Sequence, residues 1–368
     1  MDMMSAARLY DPGEPFRVDQ LPIPQPTGDD VLVRVRACGV VPNLNNVIQY
    51  AEILPAFPLP ELPAIYGLDP AGEIAAVGPD VLELAPGQRV YVNPGRGCGS
   101  CVKCRSGNIN DCASYTFAGY FGFGEGSRRV FKRYPWGGFA EYMIAPATSI
   151  AVLPDAVSFE EAARFGYLGT AYAALRRAGA GCDTSVLING ATGTLGAGAV
   201  LLALAMGAPR ILAVAREPRL LEELKAVAPQ RIVTHSNLDG PCIDWARAQT
   251  DGLGPDVVIE ALGNGSPPEA SMNALLSVGR GGRVVTIGAM TTPLPIDPIW
   301  MMLRQVRYEG SLWFTTAQAE EMARMAASGS LDLKRLVHKR FPLDQVSAAL
   351  AEAMSRELGG FANVVVTP

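Results

Sequence analysis

Hydrophobic positions in the first third of the chain come in short runs broken by proline and glycine. Val31-Leu32-Val33-Arg34-Val35 alternates and is β-branched, which predicts a half-buried strand. Gly72-Glu73-Ile74-Ala75-Ala76-Val77-Gly78 and Arg89-Val90-Tyr91-Val92 read the same way. Pro55, Pro58, Pro60, Pro63 and Pro70 punctuate the stretch between them, and proline cannot serve a central ladder. The pattern predicts a β-rich lobe with long loops.

The pattern then changes. Val186-Leu187-Ile188 is a short apolar strand, and Leu195 to Met206 is an Ala/Leu-rich helix. Ile211 to Val214 predicts a strand and Leu220 to Val227 a helix. Further strands are predicted at Arg231–Val233, Asp256–Ile259 and Arg283–Ile287. Strands alternating with helices predict right-handed βαβ units and an α/β fold with a doubly wound parallel sheet. From about Ser311 the tail predicts two helices and a last strand, Asn363–Val366, that returns to the first lobe. No internal repeat interrupts this order.

A length of 368 residues favours two domains. With 49% hydrophobic and 18% charged residues, each can bury its own core. A net charge of −5 and an isoelectric point near 5.3 leave no basic footprint for nucleic acid. The opening residues lack the apolar run of a signal peptide, and Ala197–Ala208 is too short to span a bilayer. A cytoplasmic protein is expected, with no membrane partner.

Asn189-Gly190-Ala191-Thr192-Gly193-Thr194-Leu195-Gly196 follows a predicted strand and opens a helix. In that context the glycines predict a dinucleotide site. Gly193 admits a pyrophosphate close to the backbone, and Gly196 lets helix and strand pack closely. A tight turn without ligand is the plainer alternative. An NAD site places an acid about 20 residues on, at the ribose 2′-hydroxyl. Ala215 stands there, followed by Arg216, whose guanidinium suits the 2′-phosphate of NADP(H). Glu217 keeps NAD as the alternative, and Arg219 either assists Arg216 or is a solvated helix residue.

Seven cysteines do not form a secreted framework here, because Cys98, Cys101, Cys104 and Cys112 crowd into fifteen residues. Four thiolates at this spacing predict one closed, structural zinc site. Cys182 and Cys242 read as buried small residues.

The Cys-x2-Cys-x2-Cys-x7-Cys lobe ahead of the glycine loop, with Gly137-Gly138-Phe139-Ala140-Glu141-Tyr142 between, resembles the zinc-containing alcohol dehydrogenases of the medium-chain dehydrogenase/reductase superfamily. Ala37-Cys38-Gly39-Val40, Gly87-Gln88-Arg89-Val90, Gly282–Val285 with Gly288, and Arg340–Asp344 extend the likeness over nearly the whole chain. The resemblance implies a GroES-like catalytic domain (1–167 and 311–368, with its zinc lobe at about 95–115) and a Rossmann domain (168–310). It also implies that Gly288 lies at the coenzyme.

Relatives that use a catalytic zinc hold it with a Cys after the Cys-Gly-Val stretch, the His of Gly-His-Glu and a third donor near the domain junction. Here those places read Val41, Leu68 and the Phe165–Thr170 stretch, which supply no ligand. Cys38 and Asp69 are the nearby donors of suitable type. His235 and His338 read as ordinary packed or surface histidines. A structural zinc without a catalytic one is therefore expected.

Without a Lewis acid, hydride addition to an α,β-unsaturated carbonyl is the favoured chemistry, since hydrogen-bond donors alone can hold an enolate. The resemblance extends to zinc-free enone and quinone reductases. An alcohol or aldehyde dehydrogenase using side-chain acids is the alternative, and a non-catalytic nucleotide-binding protein a third. Candidate catalytic groups are Tyr167, Asp69 and Asn43, which aligns with the relay hydroxyl of the zinc enzymes; Tyr50 and Tyr66 are weaker. Tyr115–Trp136, rich in aromatics and with glycines at 119, 122, 124 and 126, reads as a flexible lid or substrate-contacting loop suited to a planar, hydrophobic, aromatic substrate. Arg128, Arg129, Lys132 and Arg133 would meet an anionic substrate or form a solvated face. The family likeness implies a homodimer, with an apolar seam at Pro293–Trp300 ahead of Met301 and Met302.

Overall fold

The computed structural model describes residues 2–50, 57–355 and 357–368. Pro55 lies outside them. Two β-sheets organise the molecule. The parallel sheet has the strand order Ile232–Ser236, Arg210–Ala215, Ser185–Asn189, Val257–Glu260, Arg283–Thr286, Arg307–Gly310. Counted along the chain this is 3-2-1-4-5-6, with the reversal between the first and fourth strands. Such a reversal opens a crevice at the carboxyl ends of the strands, where nucleotides bind.

The strands are apolar because both faces are covered. Val186, Leu187, Ile188, Ile211 and Leu212 are completely buried. The helix Thr194–Ala205 lies against them, buried along Gly196 to Ala203. Small residues let it sit close: a Cβ on Gly196 would lie 2.1 Å from the carbonyl oxygen of Gly190. The predicted strands and helices all form, with ends moved by up to four residues.

The second large sheet is mostly antiparallel and centres on Asp30–Gly39, flanked by Asp69–Val77, Tyr142–Pro146 and Ala362–Thr367. The expected half-burial of Val31–Val35 needs correction. Val31, Leu32, Val33 and Val35 are all buried and only Arg34 is exposed, because this is the central strand of a sheet covered on both faces. The last strand pairs Val365 with Gly39, bringing the tail back to the first lobe. The tail also holds the strand Val337–Pro342, parallel to Ala362–Thr367, which the sequence pattern did not announce.

The helix Phe165–Ala178 joins the two cores. Phe165 packs against Tyr91 of the antiparallel sheet at 5.4 Å, and Tyr91 stacks on Phe314 at 6.3 Å. Leu168 of the same helix packs on Gly198 of the nucleotide-side helix.

The segment Tyr115–Trp136 departs from its expected role as a flexible lid. Tyr115, Phe117, Tyr120, Phe131 and Tyr134 are buried, and Ser127–Arg133 is helical. Its glycines serve close approach. A Cβ on Gly122 would lie 2.4 Å from the Ser127 Cβ, one on Gly124 2.8 Å from the Ala113 carbonyl, and one on Gly126 2.1 Å from the Ser114 hydroxyl. The four basic residues form a solvated face, on which Arg128 pairs with Glu125 and Arg133 with Asp29. Cys182 is also a correction: it is exposed in the turn before Ser185–Asn189, whereas Cys242 is buried as expected. Among the described residues no helix is long and apolar enough to cross a membrane.

Candidate active site and metal centre

The four predicted sulfurs come together, all within 4.8 Å of one another. Cys101 caps the helix Val102–Arg105 and accepts from the Cys104 N–H at 3.5 Å. Cys112 accepts from the N–H groups of Cys98 and Ser114, each at 3.4 Å. Sulfurs on a tetrahedron with Zn–S bonds of about 2.3 Å stand about 3.8 Å apart, and Cys101 and Cys112 are 3.8 Å apart. A Cβ on Gly97 would lie 2.5 Å from the Cys104 sulfur, so glycine is needed behind it. Backbone N–H groups of Ser100 and Cys101 hold the Cys98 thiol down at about 6, which favours the ligating thiolate. The residues fit one zinc with no open position.

The glycine loop lies at the sheet's reversal point. Gly190 takes φ +80°, and Gly193 is exposed at the start of Thr194–Ala205. That helix has no side-chain cap, so its first N–H groups remain available to a diphosphate. Ala191 is buried, with Thr192, Thr194 and Leu195 half-buried around the turn. Gly288 lies against the loop after Val257–Glu260, where a Cβ would be 2.0 Å from the Leu262 carbonyl. This is a cradle that side chains would fill.

At the end of the second strand Ala215 is buried and Arg216 exposed, in no ion pair among the described residues. Ser236 donates to the Arg216 carbonyl at 2.9 Å. Glu217 is occupied locally, its carboxylate capping the helix Pro218–Lys225 through the Arg219 N–H. Arg219 pairs with Glu223 and donates to the Glu357 carbonyl at 2.8 Å. Among the described residues Arg216 is thus a cation left free beside the crevice.

Val41 and Leu68 line one narrow crevice with Gly39, Leu44, Tyr120 and Phe139. Val41 is 7% and Leu68 5% exposed, so hydrocarbon packs where relatives place ligands. Asp69 is 2% exposed. Its carboxylate accepts from the Tyr91 hydroxyl at 2.7 Å and faces the backbone of Gly166 and the Arg164 guanidinium. Burial lifts its pKa to about 7, against the downward pull of those three partners. Burial likewise pushes the Cys38 thiol well up, with the Asp69 charge adding to it.

Tyr167 is half-buried, its ring 5.1 Å from the Arg164 guanidinium. Asn43 is exposed at the crevice mouth, and its Oδ1 accepts from Asn46 at 2.9 Å. The weaker candidates do not join them. Tyr66 is completely buried against Phe16, its hydroxyl without a hydrogen-bond partner among the described residues. The Tyr50 side chain lies outside the described residues. His235 stacks on Trp245, and His338 contacts Asn363.

Three residues at this site escaped the sequence reading. Arg164 donates to the carbonyls of Gly360 at 2.8 Å and Thr194 at 3.3 Å, tying the Asp69 wall to the glycine loop; burial holds it down at about 10. Glu260 accepts from Asn189 and from the Leu262 N–H, each at 2.8 Å, fixing the loop opposite Gly190. A buried carboxylate ending an apolar strand was a legible signal for Glu260. Tyr120 approaches Asn43, Tyr167 and Asp69.

Comparison with known proteins agrees with this construction. Residues 27–155 match the alcohol dehydrogenase GroES-like domain, and residues 194–328 match the zinc-binding dehydrogenase domain. An alcohol dehydrogenase of Geobacillus stearothermophilus is 30% identical over 364 residues, covering 97% of this chain and 98% of its own. Sorbitol dehydrogenase of Bacillus subtilis (strain 168) is 29% identical, covering 95% and 94%. The crystal structure of AibC superposes with a TM-score of 0.84 at 29% identity, covering 100% of this chain and 96% of that one. With its fold, glycine cradle and four-cysteine lobe in these places, the chain belongs to the zinc-type alcohol dehydrogenase family of the medium-chain dehydrogenase/reductase superfamily and is an NAD(P)-dependent oxidoreductase.

Proposed function

We propose that the protein is an NADP(H)-dependent reductase of the C=C bond in α,β-unsaturated carbonyl compounds, working without a catalytic metal. The observation that carries this is the crevice in which Val41 and Leu68 replace ligands with hydrocarbon while hydroxyl and amide groups gather beside them. Donors of that kind can hold a delocalised enolate oxygen, whereas a localised alkoxide asks for a stronger electrophile. Free Arg216 beside buried Ala215 supports the 2′-phosphate form, and the capping role of Glu217 removes the competing acid.

NADPH, when bound, supplies the hydride. Gly190–Gly196 would hold its diphosphate, Arg216 its 2′-phosphate, and Gly288 would line its path. Tyr167 and Asn43 would orient the carbonyl, and Asp69 would set the charge behind them. A structural zinc on Cys98, Cys101, Cys104 and Cys112 would brace the lobe beside the cleft. Pairing of two copies along the edge strand Arg307–Gly310 would make the dimer.

A second reading has one observation in its favour. An Asp69 carboxyl with a pKa of about 7 is tuned for proton transfer in alcohol or aldehyde oxidation. NADPH oxidation across matched enones and saturated aldehydes, and NADP+ reduction with the corresponding alcohols, separates the two. Turnover of the enones with little of the rest is expected. Turnover confined to the alcohol–aldehyde pair, or a second tightly held zinc, would overturn the proposal.

A further inference from the structure

Resting on the metal-free reduction proposed above, we infer that Tyr120 is the catalytic hydroxyl of this cleft, donating to the substrate oxygen that a metal would otherwise bind.

The backbone delivers the ring with little freedom. Gly119 has φ +67°, and a Cβ there would lie 2.7 Å from the Gly137 Cα and 2.8 Å from the Gly67 carbonyl. The Gly67 N–H donates to the Gly119 carbonyl at 3.1 Å, locking Tyr120 beside Leu68. Phe121 and Phe117 hold the ring at 4.8 and 6.4 Å. It lines the same crevice as Val41 and Leu68.

The Asn43 side chain, whose oxygen accepts from Asn46 at 2.9 Å, lies near the Tyr120 hydroxyl. The phenol O–H is the donor that Tyr120 brings to the crevice lined by Val41 and Leu68. Burial pushes its pKa up, with the Tyr167 hydroxyl adding to this, so it remains a neutral donor rather than a base. A preorganised donor in a water-poor crevice is the arrangement that stabilises a developing oxyanion.

As hydride from NADPH reaches the β-carbon, the C=C electron pair moves into a new bond between the α-carbon and the carbonyl carbon. The carbonyl π pair moves onto oxygen, where the Tyr120 O–H holds it. Collapse of that enolate forms an α-carbon–hydrogen bond with a proton from water. The products are the saturated carbonyl and NADP+.

The test uses the full, zinc-containing chain and Tyr120→Phe, which differ by one oxygen. Loss of one oxyanion donor should lower kcat about 100- to 1,000-fold, with the Kd for NADPH and the melting temperature unchanged. Binding of 4-nitrophenolate, a coloured enolate mimic, to the NADP+-loaded protein should weaken by about tenfold or more, as loss of a charge-assisted hydrogen bond implies. Asn43→Ala, at an exposed position, should lower kcat about tenfold. Undiminished kcat in Tyr120→Phe, equal phenolate affinity in both proteins, or no phenolate binding by either would overturn the inference. Should the parent protein reduce only saturated carbonyls while Tyr120→Phe still loses phenolate, the enone proposal falls and the role of Tyr120 stands.

Discussion

Asp69→Asn isolates the electrostatics of the cleft. The carboxyl is lifted from 3.8 to about 7 by burial, and one pKa unit corresponds to about 1.36 kcal/mol, so its ionised form costs the fold about 4 kcal/mol. The sign follows from the raised value. Between pH 4 and 7 the folded chain holds a proton that the unfolded chain has released. The contribution of Asp69 to stability is therefore greatest below about pH 4, falls by about 1.4 kcal/mol per unit up to about pH 7, and levels off above. The amide of the variant does not titrate and has no such dependence. It also offers one oxygen where Tyr91 and the Gly166 backbone both face the carboxylate, which adds a constant offset. The informative quantity is thus the difference between variant and parent as pH changes. Urea unfolding followed by tryptophan fluorescence should show that difference moving toward the variant by about 3 kcal/mol from pH 5 to 8. An infrared carboxylic-acid band titrating near pH 7 should vanish in the variant. A difference independent of pH over that range would refute the assignment of a protonated, buried Asp69.

Three further outcomes are expected. Arg216→Ala should raise the Kd for NADPH about ten- to a hundredfold and leave that for NADH unchanged, because a charge-assisted bond is worth about 1.5–3 kcal/mol; equal weakening of both would remove Arg216 from the 2′-phosphate. Metal analysis should find one zinc per chain, and Cys101→Ser should abolish it and lower the melting temperature; full zinc content in that variant would dissociate the four-cysteine cluster from metal. Light scattering should give a dimer, since Ile299, Met302 and Leu303 are 64, 67 and 61% exposed beside the edge strand Arg307–Gly310; Met302→Glu should yield monomers, and an unchanged mass would move the seam elsewhere.

What the sequence disclosed depended on the range of each signal. The glycine loop and four-cysteine spacing are local: a strand, a turn and a helix, or a closed tetrahedron, lie within a few residues of each other. The parallel sheet was legible because apolar strands alternating with helices have few alternatives to a βαβ arrangement. The last strand was visible as a β-branched run, whereas Val337–Pro342 was not, since His338, Lys339 and Arg340 give it a polar edge. Glycine caused the largest error. Gly119, Gly122, Gly124 and Gly126 look like freedom in a list of residue types. In the fold each gives up a Cβ so that another group can come near, and the segment is packed rather than loose.

That error also concealed the chemistry. Val41 and Leu68 could be read as lost ligands because a family pattern supplies their positions. The same pattern places Asn43 and Asp69, but it supplies no position for Arg164 or Tyr120. Arg164 precedes a helix by one residue and resembles any surface arginine in sequence, yet it is buried between the Gly360 and Thr194 carbonyls. Tyr120 looked like one aromatic among the eight of Tyr115–Trp136. Its distinction comes from Gly119, whose left-handed turn against Gly67 sets the ring beside Leu68. The glycine that seemed to loosen a lid fixes the hydroxyl, so replacing Gly119 should disturb the cleft as much as replacing Tyr120 itself.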